Sequence, residues 1–224
     1  MEPTAPQARA AIAMWWDIAP DMRAQFEHWH SHEHFPERLA IPGFLRSSRW
    51  SSVDGGPGFF VLYELEDHAT LSSPHYLDRL DHPSAWSTRL MPHHRNMVRS
   101  QCRVLASSGA GVARHALTLR LSPGTETAER LRAFLAQAAE AIAISPGTTA
   151  AWLLRTEPPD IGPTTEQRIR GGDGAADWIF VASGYDLAAL QALRAGTLGD
   201  ASLAREGAAG PVVAGLYALC HAGR

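Results

Sequence analysis

Four histidines, His28, His30, His32 and His34, alternate along one stretch of this 224-residue chain, and imidazole is the side chain best suited to moving protons near neutral pH. If the stretch is helical, His28 shares a face with His32 and His30 with His34, because residues four apart are neighbours. The two pairs then lie about 200° apart around the axis, so at most one pair faces inward. His34 is the candidate general base or substrate anchor, and Glu33 beside it could orient the imidazole. The competing reading places His34 at the helix C-terminus, where the dipole favours an imidazolium. His28, His30 and His32 are expected on a solvated face. His30 to His34 also reads H-x-x-E-H, a zinc-peptidase pattern. Such patterns arise easily among crowded histidines, the chain is short for that class and no third ligand can be chosen, so no metal is expected.

Other side chains could complete a pocket. Arg38 lies one turn beyond His34 and could orient it or a polar substrate, although Glu33, Glu37 and Arg38 could equally be surface ion pairs. Arg49 and Tyr63 fall in β-rich stretches whose alternate side chains could reach the same cavity, and a buried arginine needs an acidic or ligand partner. Five of the seven tryptophans, among them Trp29 and Trp86, lie in the first half, enough to wall a flat aromatic ligand or to form a core. His75, Tyr76, His82 and Trp86 are placed at the rim, and His93-His94-Arg95 in a solvated turn.

Elements able to hold these residues follow from periodicity. An apolar run from Ala10 to Ala19 reads as a strand, and Pro20-Asp21 opens a helix to about Leu39. Phe44–Val53 and Phe59–Leu65, joined by Asp54-Gly-Gly-Pro-Gly58, read as a hairpin. Helical segments from Thr70 to Leu90 and a strand from Met97 to Ala106 complete a β-α-β-β-α-β series. Ser107-Ser-Gly-Ala-Gly111 is a linker signal at the midpoint. The same order then recurs: a strand (Ala113–Leu121), an alanine-rich helix (Glu126–Ile144), a strand (Thr149–Thr156), a proline- and glycine-rich loop, a strand (Trp178–Gly184), a short helix (Asp186–Gly196) and a strand (Val212–Cys220). Two repeats, 10–106 and 112–222, are therefore expected, the second as a structural partner, with antiparallel sheets covered by helices on one face.

Composition closes off several classes of function. A net charge of −3 without basic runs argues against nucleic acid and against a charged membrane surface. All 20 basic residues are arginine, which excludes a lysine Schiff base. Cys102 and Cys220 read as reduced, buried thiols rather than a disulfide framework. Residues Met1 to Gln7 lack a basic-then-apolar leader and no apolar run reaches 18 residues, so a cytoplasmic protein is expected.

Trp29, His34 with Pro36, and Pro42-Gly43, supported by Arg49-Trp50 and Leu62-Tyr63-Glu64-Leu65, resemble the EthD-like branch of the dimeric α/β-barrel superfamily. The likeness covers about a quarter of the first half. It implies an α+β fold of two tandem ferredoxin-like units forming an intramolecular barrel, with a cavity between sheet and helices for small molecules. It further implies cofactor-independent proton-transfer or oxygenase-type chemistry on an apolar or aromatic substrate, with His34 as base. Two alternatives accompany it: haem binding through a histidine, and a non-catalytic accessory module. The partner expected is a small-molecule ligand, with a homodimer allowed.

Overall fold

A computed structural model describes residues 10–55 and 58–224, so the expectations for Met1 to Gln7 and for Gly56-Pro57 of the hairpin turn lie outside the described residues. Strand β1 (Ala10–Ile18) alternates as its sequence requires: Ile12, Met14 and Trp16 point to one layer, Ala11, Ala13 and Trp15 to another. β2 (Phe44–Ser52) and β3 (Phe59–Leu65) form the expected hairpin. β4 (His94–Gly109), β5 (His115–Pro123), β6 (Thr148–Thr156), β7 (Trp178–Gly184) and β8 (Ala208–Gly223) complete the strands.

The eight strands close into an antiparallel barrel in the order β1-β3-β2-β8-β5-β7-β6-β4. Each half contributes its four strands in the same internal order, last-first-third-second. The two last strands make closure possible. β4 pairs with β1 through residues 94–103 and with β6 through 102–109, while β8 pairs with β5 and, beyond Tyr217, with β2. Both are 16 residues long, well beyond the stretches their apolar patterns mark out, because the ends of β4 are polar and those of β8 are mostly alanine, glycine and proline.

Aromatic rings fill the barrel. Phe60 stacks between Trp15 and Trp50 at 5.1 and 5.3 Å, with Tyr217 at 5.7 Å. The indole N–H groups find acceptors in the second half: Trp15 donates to Thr118 Oγ1 and Trp50 to the Ala113 carbonyl. Cys102 is buried in this core and Cys220 is exposed, which corrects the expectation of two buried thiols; both are free.

Helices cover the outside. In the second half α5 (Ala128–Ile144) lays Leu131, Leu135, Ala139 and Ile142 on Leu117, Leu119, Leu153 and Phe180. In the first half the covering helix is composite: α1 (Arg23–Trp29), a π turn (His30–His34) and α2 (Phe35–Leu39), followed later by α3 (Pro74–Asp81) and α4 (Ala85–Leu90). A helix ending at His34 is not what forms. Instead it runs through Pro36, which lacks an N–H and crowds the preceding turn. The backbone answers with a wider turn, Phe35 N–H donating to the His30 carbonyl five residues back.

Two helices were not foreseen. α6 (Thr165–Arg170) lies inside the proline- and glycine-rich loop, and α8 (Asp200–Glu206) follows α7 (Leu187–Ala195). α6 starts with a capping box, Thr164 and Gln167 bonding reciprocally, and stops at Gly171 in the left-handed conformation. No described helix is long and apolar enough to cross a membrane.

Phe60→Ala removes the ring shared by three aromatic neighbours. Urea unfolding is expected to show a loss of about 3–5 kcal/mol; a loss below about 1 kcal/mol would mean that the barrel core does not depend on this stack.

Candidate functional site

Between the helix-facing side of β1, β3 and β4 and the composite helix lies a small cavity of about 30 Å³. That is room for about two waters in the closed form. Strand alternation supplies Ile12, Met14 and Trp16 from β1, Tyr63 from β3, and Met97 and Arg99 from β4, and a bulge at Asn96, whose φ is 55°, brings His94 to the same side. The composite helix supplies Trp29, His30, His34 and Arg38. The π turn matters to this grouping. Residues five apart diverge on an α-helix, but here the Trp29 and His34 rings lie 4.6 Å apart, with His30 at 5.2 Å from His34.

His30 and His34 are therefore the inward pair. The expectation of a solvated face fails for His30, which is 1% exposed, and His34 sits inside the helix instead of capping it. His28 and His32 lie outward, their rings tilted at 45° with centroids 4.4 Å apart, and His32 Nδ1 is hydrogen-bonded to the His28 carbonyl. Burial, then the charges of neighbours, holds both inward imidazoles well below the usual range: His34 and Arg49 act on His30, and Arg38 acts on His34.

His94 was missed. The sequence put it in a solvated turn, yet it begins β4 and lines the cavity, 5.4 Å from Trp16. Its Nδ1–H donates to the Met91 carbonyl at 3.0 Å, which leaves Nε2 as the acceptor. Burial lowers its pKa to about 4, although that backbone bond works the other way. No short-range sequence signal distinguishes His94 from His93; only the starting register of β4 does.

Trp29, His34, Arg38 and Tyr63 all line the cavity, and three other candidates do not. Glu33 turns away to accept hydrogen bonds from Trp29 Nε1 at 3.0 Å and Ser84 Oγ at 2.5 Å, so it positions the indole instead of an imidazole. Arg49 lies off the lining, donating to Ser31 Oγ at 3.1 Å and Cys220 Sγ at 3.4 Å. Trp86 packs at 5.3 Å on His28, outside the wall. Among the described residues no three His, Cys, Asp or Glu side chains form a metal-binding group.

The second half also reaches the site. Glu166 and Arg170, one turn apart on α6, line the cavity although they follow β6 in the chain. Arg38 Nη2 pairs with Glu166 Oε1, Arg170 reaches Glu166 Oε2 at 3.4 Å, and Asp173 holds Arg170 at 2.8 and 3.1 Å. Burial opposes the charge on Arg38, but Glu166 and the neighbouring tyrosines outweigh it and keep the guanidinium charged. The segment is pinned to the first half by Thr165 N–H donating to Asp81, by Arg99 N–H donating to the Gly174 carbonyl and by Gly174 N–H donating to the Met97 carbonyl. It forms a lid.

Four polar atoms on the lining have no partner: Trp16 Nε1, His30 Nδ1, His34 Nδ1 and Tyr63 Oη. Burial keeps the Tyr63 phenol protonated far above neutral pH. Unpaired buried polar groups each cost about 1–3 kcal/mol, so a cluster of four marks a place where something polar is received.

No protein-family model matches the sequence, and no curated protein is significantly similar to it in sequence. Solved structures are similar over nearly the whole chain. An anthrone oxidase-like protein superposes with a TM-score of 0.67 at 13% identity, covering 97% of this chain and 93% of its own. A protein assigned as a monooxygenase from Fusobacterium nucleatum gives 0.66 at 9%, covering 97% and 94%. The fold is that of the dimeric α/β-barrel proteins, closed here within one chain. A haem-binding protein from Thermus thermophilus shares this dimeric α/β-barrel fold at a TM-score of 0.53 and 13% identity, covering 96% and 94%. At such identities the likeness fixes fold and leaves chemistry to the site. The EthD-like branch is not singled out among these neighbours.

Haem can be tested against the cavity directly. His30 or His34 offers an imidazole, but ligand pockets for large groups run to about 300–1,000 Å³ of usable space, and the apolar walls leave about 30 Å³. Without movement of its walls the cavity admits neither a tetrapyrrole nor a single aromatic ring, so its volume does not discriminate between them.

Two outcomes follow from this electrostatic arrangement. Because the folded-state imidazoles titrate below their unfolded value near 6.5, the unfolded chain binds more protons as pH falls, and folding stability drops. Unfolding free energy is expected to be flat above about pH 7 and to decline from about pH 6.5 towards pH 4, with a shallower decline in His94→Gln; a flat profile across that window would contradict neutral buried imidazoles. Glu166→Gln leaves two buried guanidiniums without their shared carboxylate. A loss of about 3 kcal/mol in urea unfolding, or faster amide exchange confined to residues 165–170, is expected.

Proposed function

We propose that the protein is a small-molecule enzyme whose site lies in the first repeat, residues 10–106, under a lid from the second, and that it acts by proton transfer on an aromatic substrate. The observation that carries this is the set of four unpaired polar atoms on one aromatic-walled cavity. His34 is assigned as the base. A neutral imidazole accepts a proton, and its depressed pKa keeps it neutral throughout the physiological range. The Tyr63 hydroxyl, held protonated, donates to the substrate oxygen, and Arg38 beside His34 stabilises negative charge as it develops.

Proton removal from an acidic C–H or O–H leaves an anion delocalised over the substrate ring. Reprotonation at another carbon completes an isomerisation, and direct reaction with dioxygen completes an oxygenation; the arrangement supports this class of chemistry and is neutral between the two. Entry of a ring requires movement. Met14, Met91 and Met97 on the walls are adaptable side chains, and the lid is held by polar contacts that can be exchanged. The names of the oxidase-like and monooxygenase neighbours agree with this reading.

A library of hydroxylated and keto aromatics, screened by thermal shift and then by oxygen uptake and product analysis, identifies a turned-over compound. His34→Ala is expected to lower kcat about 10²–10⁴-fold while changing binding only a few-fold. Unchanged turnover in that variant ends the assignment of His34.

A further inference from the structure

Three guanidiniums line the cavity, Arg38, Arg99 and Arg170, against one carboxylate, Glu166. Glu166 is shared by Arg38 and Arg170, and Asp173 takes the other donors of Arg170. Arg99 is different. Its Nη2 donates to Tyr76 Oη at 2.6 Å, and among the described residues no carboxylate pairs with it. Glu33, which faces away from the cavity, is held by Trp29 and Ser84. A further guanidinium, Arg49, is 3% exposed and also lacks an acid, with Nη1 unpartnered. Two guanidiniums thus lack a carboxylate partner, the half-buried Arg99 on the cavity lining and the buried Arg49 behind it, and a guanidinium drawn partly out of water gains from a counter-charge.

The walls specify the rest of the ligand. Trp16 and Trp29 offer flat faces, and Ile12, Met14, Met91 and Met97 offer apolar contact. A guanidinium presents parallel N–H groups that match two oxygens of one carboxylate, and Tyr76, because its oxygen accepts from Arg99, keeps its own proton to donate.

We infer that the cavity binds a planar aromatic monocarboxylate, its carboxylate held by Arg99 and Tyr76 and its ring against Trp16 and Trp29. This rests on the reading of the cavity as a ligand site and names the substrate class for it. Arg99 is then the specificity-determining residue. It holds the ligand by a group remote from the reacting proton, and the neutral imidazoles do not compete with it for the anion.

The test is isothermal titration of the full chain with benzoate, the neutral isostere benzamide, and 4-nitrophenolate as an anion without a carboxylate. Benzoate is expected to bind roughly tenfold or more tightly than benzamide, since a charged hydrogen bond replaces a neutral one. Arg99→Gln is expected to abolish that preference and leave benzamide affinity within about threefold; Tyr76→Phe, a milder change, is expected to weaken benzoate selectively. Equal affinity for benzoate and benzamide in the wild type overturns the carboxylate inference and leaves the cavity reading standing. Tighter binding of 4-nitrophenolate than of benzoate also overturns it, in favour of a phenolate. Binding of none of the three ends both readings. Should Arg99→Gln lose its near-ultraviolet circular dichroism, the wild-type comparison and Tyr76→Phe still decide.

Discussion

A four-stranded sheet with two bare edges is an unsatisfied object, and each half of this chain makes one. The edges of the first half are met only by the edges of the second, through β4 with β6 and β8 with β2. Everything else follows from that obligation. It forces both final strands to double length, turns one face of every strand into a shared aromatic core, and leaves the opposite face for helices. The first half gives that face to a cavity; the second fills it with leucine and alanine.

The cavity is a conflict held in place. Neutral imidazoles, a protonated phenol and an indole N–H sit unpaired in apolar surroundings, a short distance from an ion network that is satisfied only because α6 delivers Glu166. Apolar side chains of the same size would be more stable there, so the polar groups are a cost to folding that a polar ligand would relieve. The π turn at His30–His34 belongs to the same account. Pro36 disrupts the helix, and the wider turn it imposes is what sets Trp29 against His34.

Much of this was legible in the sequence. The apolar run from Ala10 to Ala19 and the β-rich stretch Phe59–Leu65 marked the strands, the glycine-rich joint between Val53 and Phe59 marked the hairpin, and the recurring order of elements marked the two-unit fold. Four of the chosen pocket residues, Trp29, His34, Arg38 and Tyr63, line one cavity. What could not be read depends on distance in the chain. Glu33 looks like a partner for its neighbour until Ser84, 51 residues away, is seen to hold it. His94 looks like loop because the polar start of β4 carries no apolar alternation. Glu166 and Arg170 lie in a stretch whose prolines and glycines signal turn, and the pairing of Glu166 with Arg38 spans 128 residues.

The lid raises a point about symmetry. In an assembly of two identical chains, any segment that covers a site on its partner must exist twice, and each copy must also tolerate whatever the site demands of its own sheet. Joining the two units in one polypeptide removes that bond between roles. Substitutions in the 157–177 segment act at one cavity alone, and those in the His30–His34 turn leave the second helix layer untouched. A tandem chain can therefore adjust closure and chemistry independently, as two lineages of mutation, where a homodimer would have to negotiate them in a single sequence.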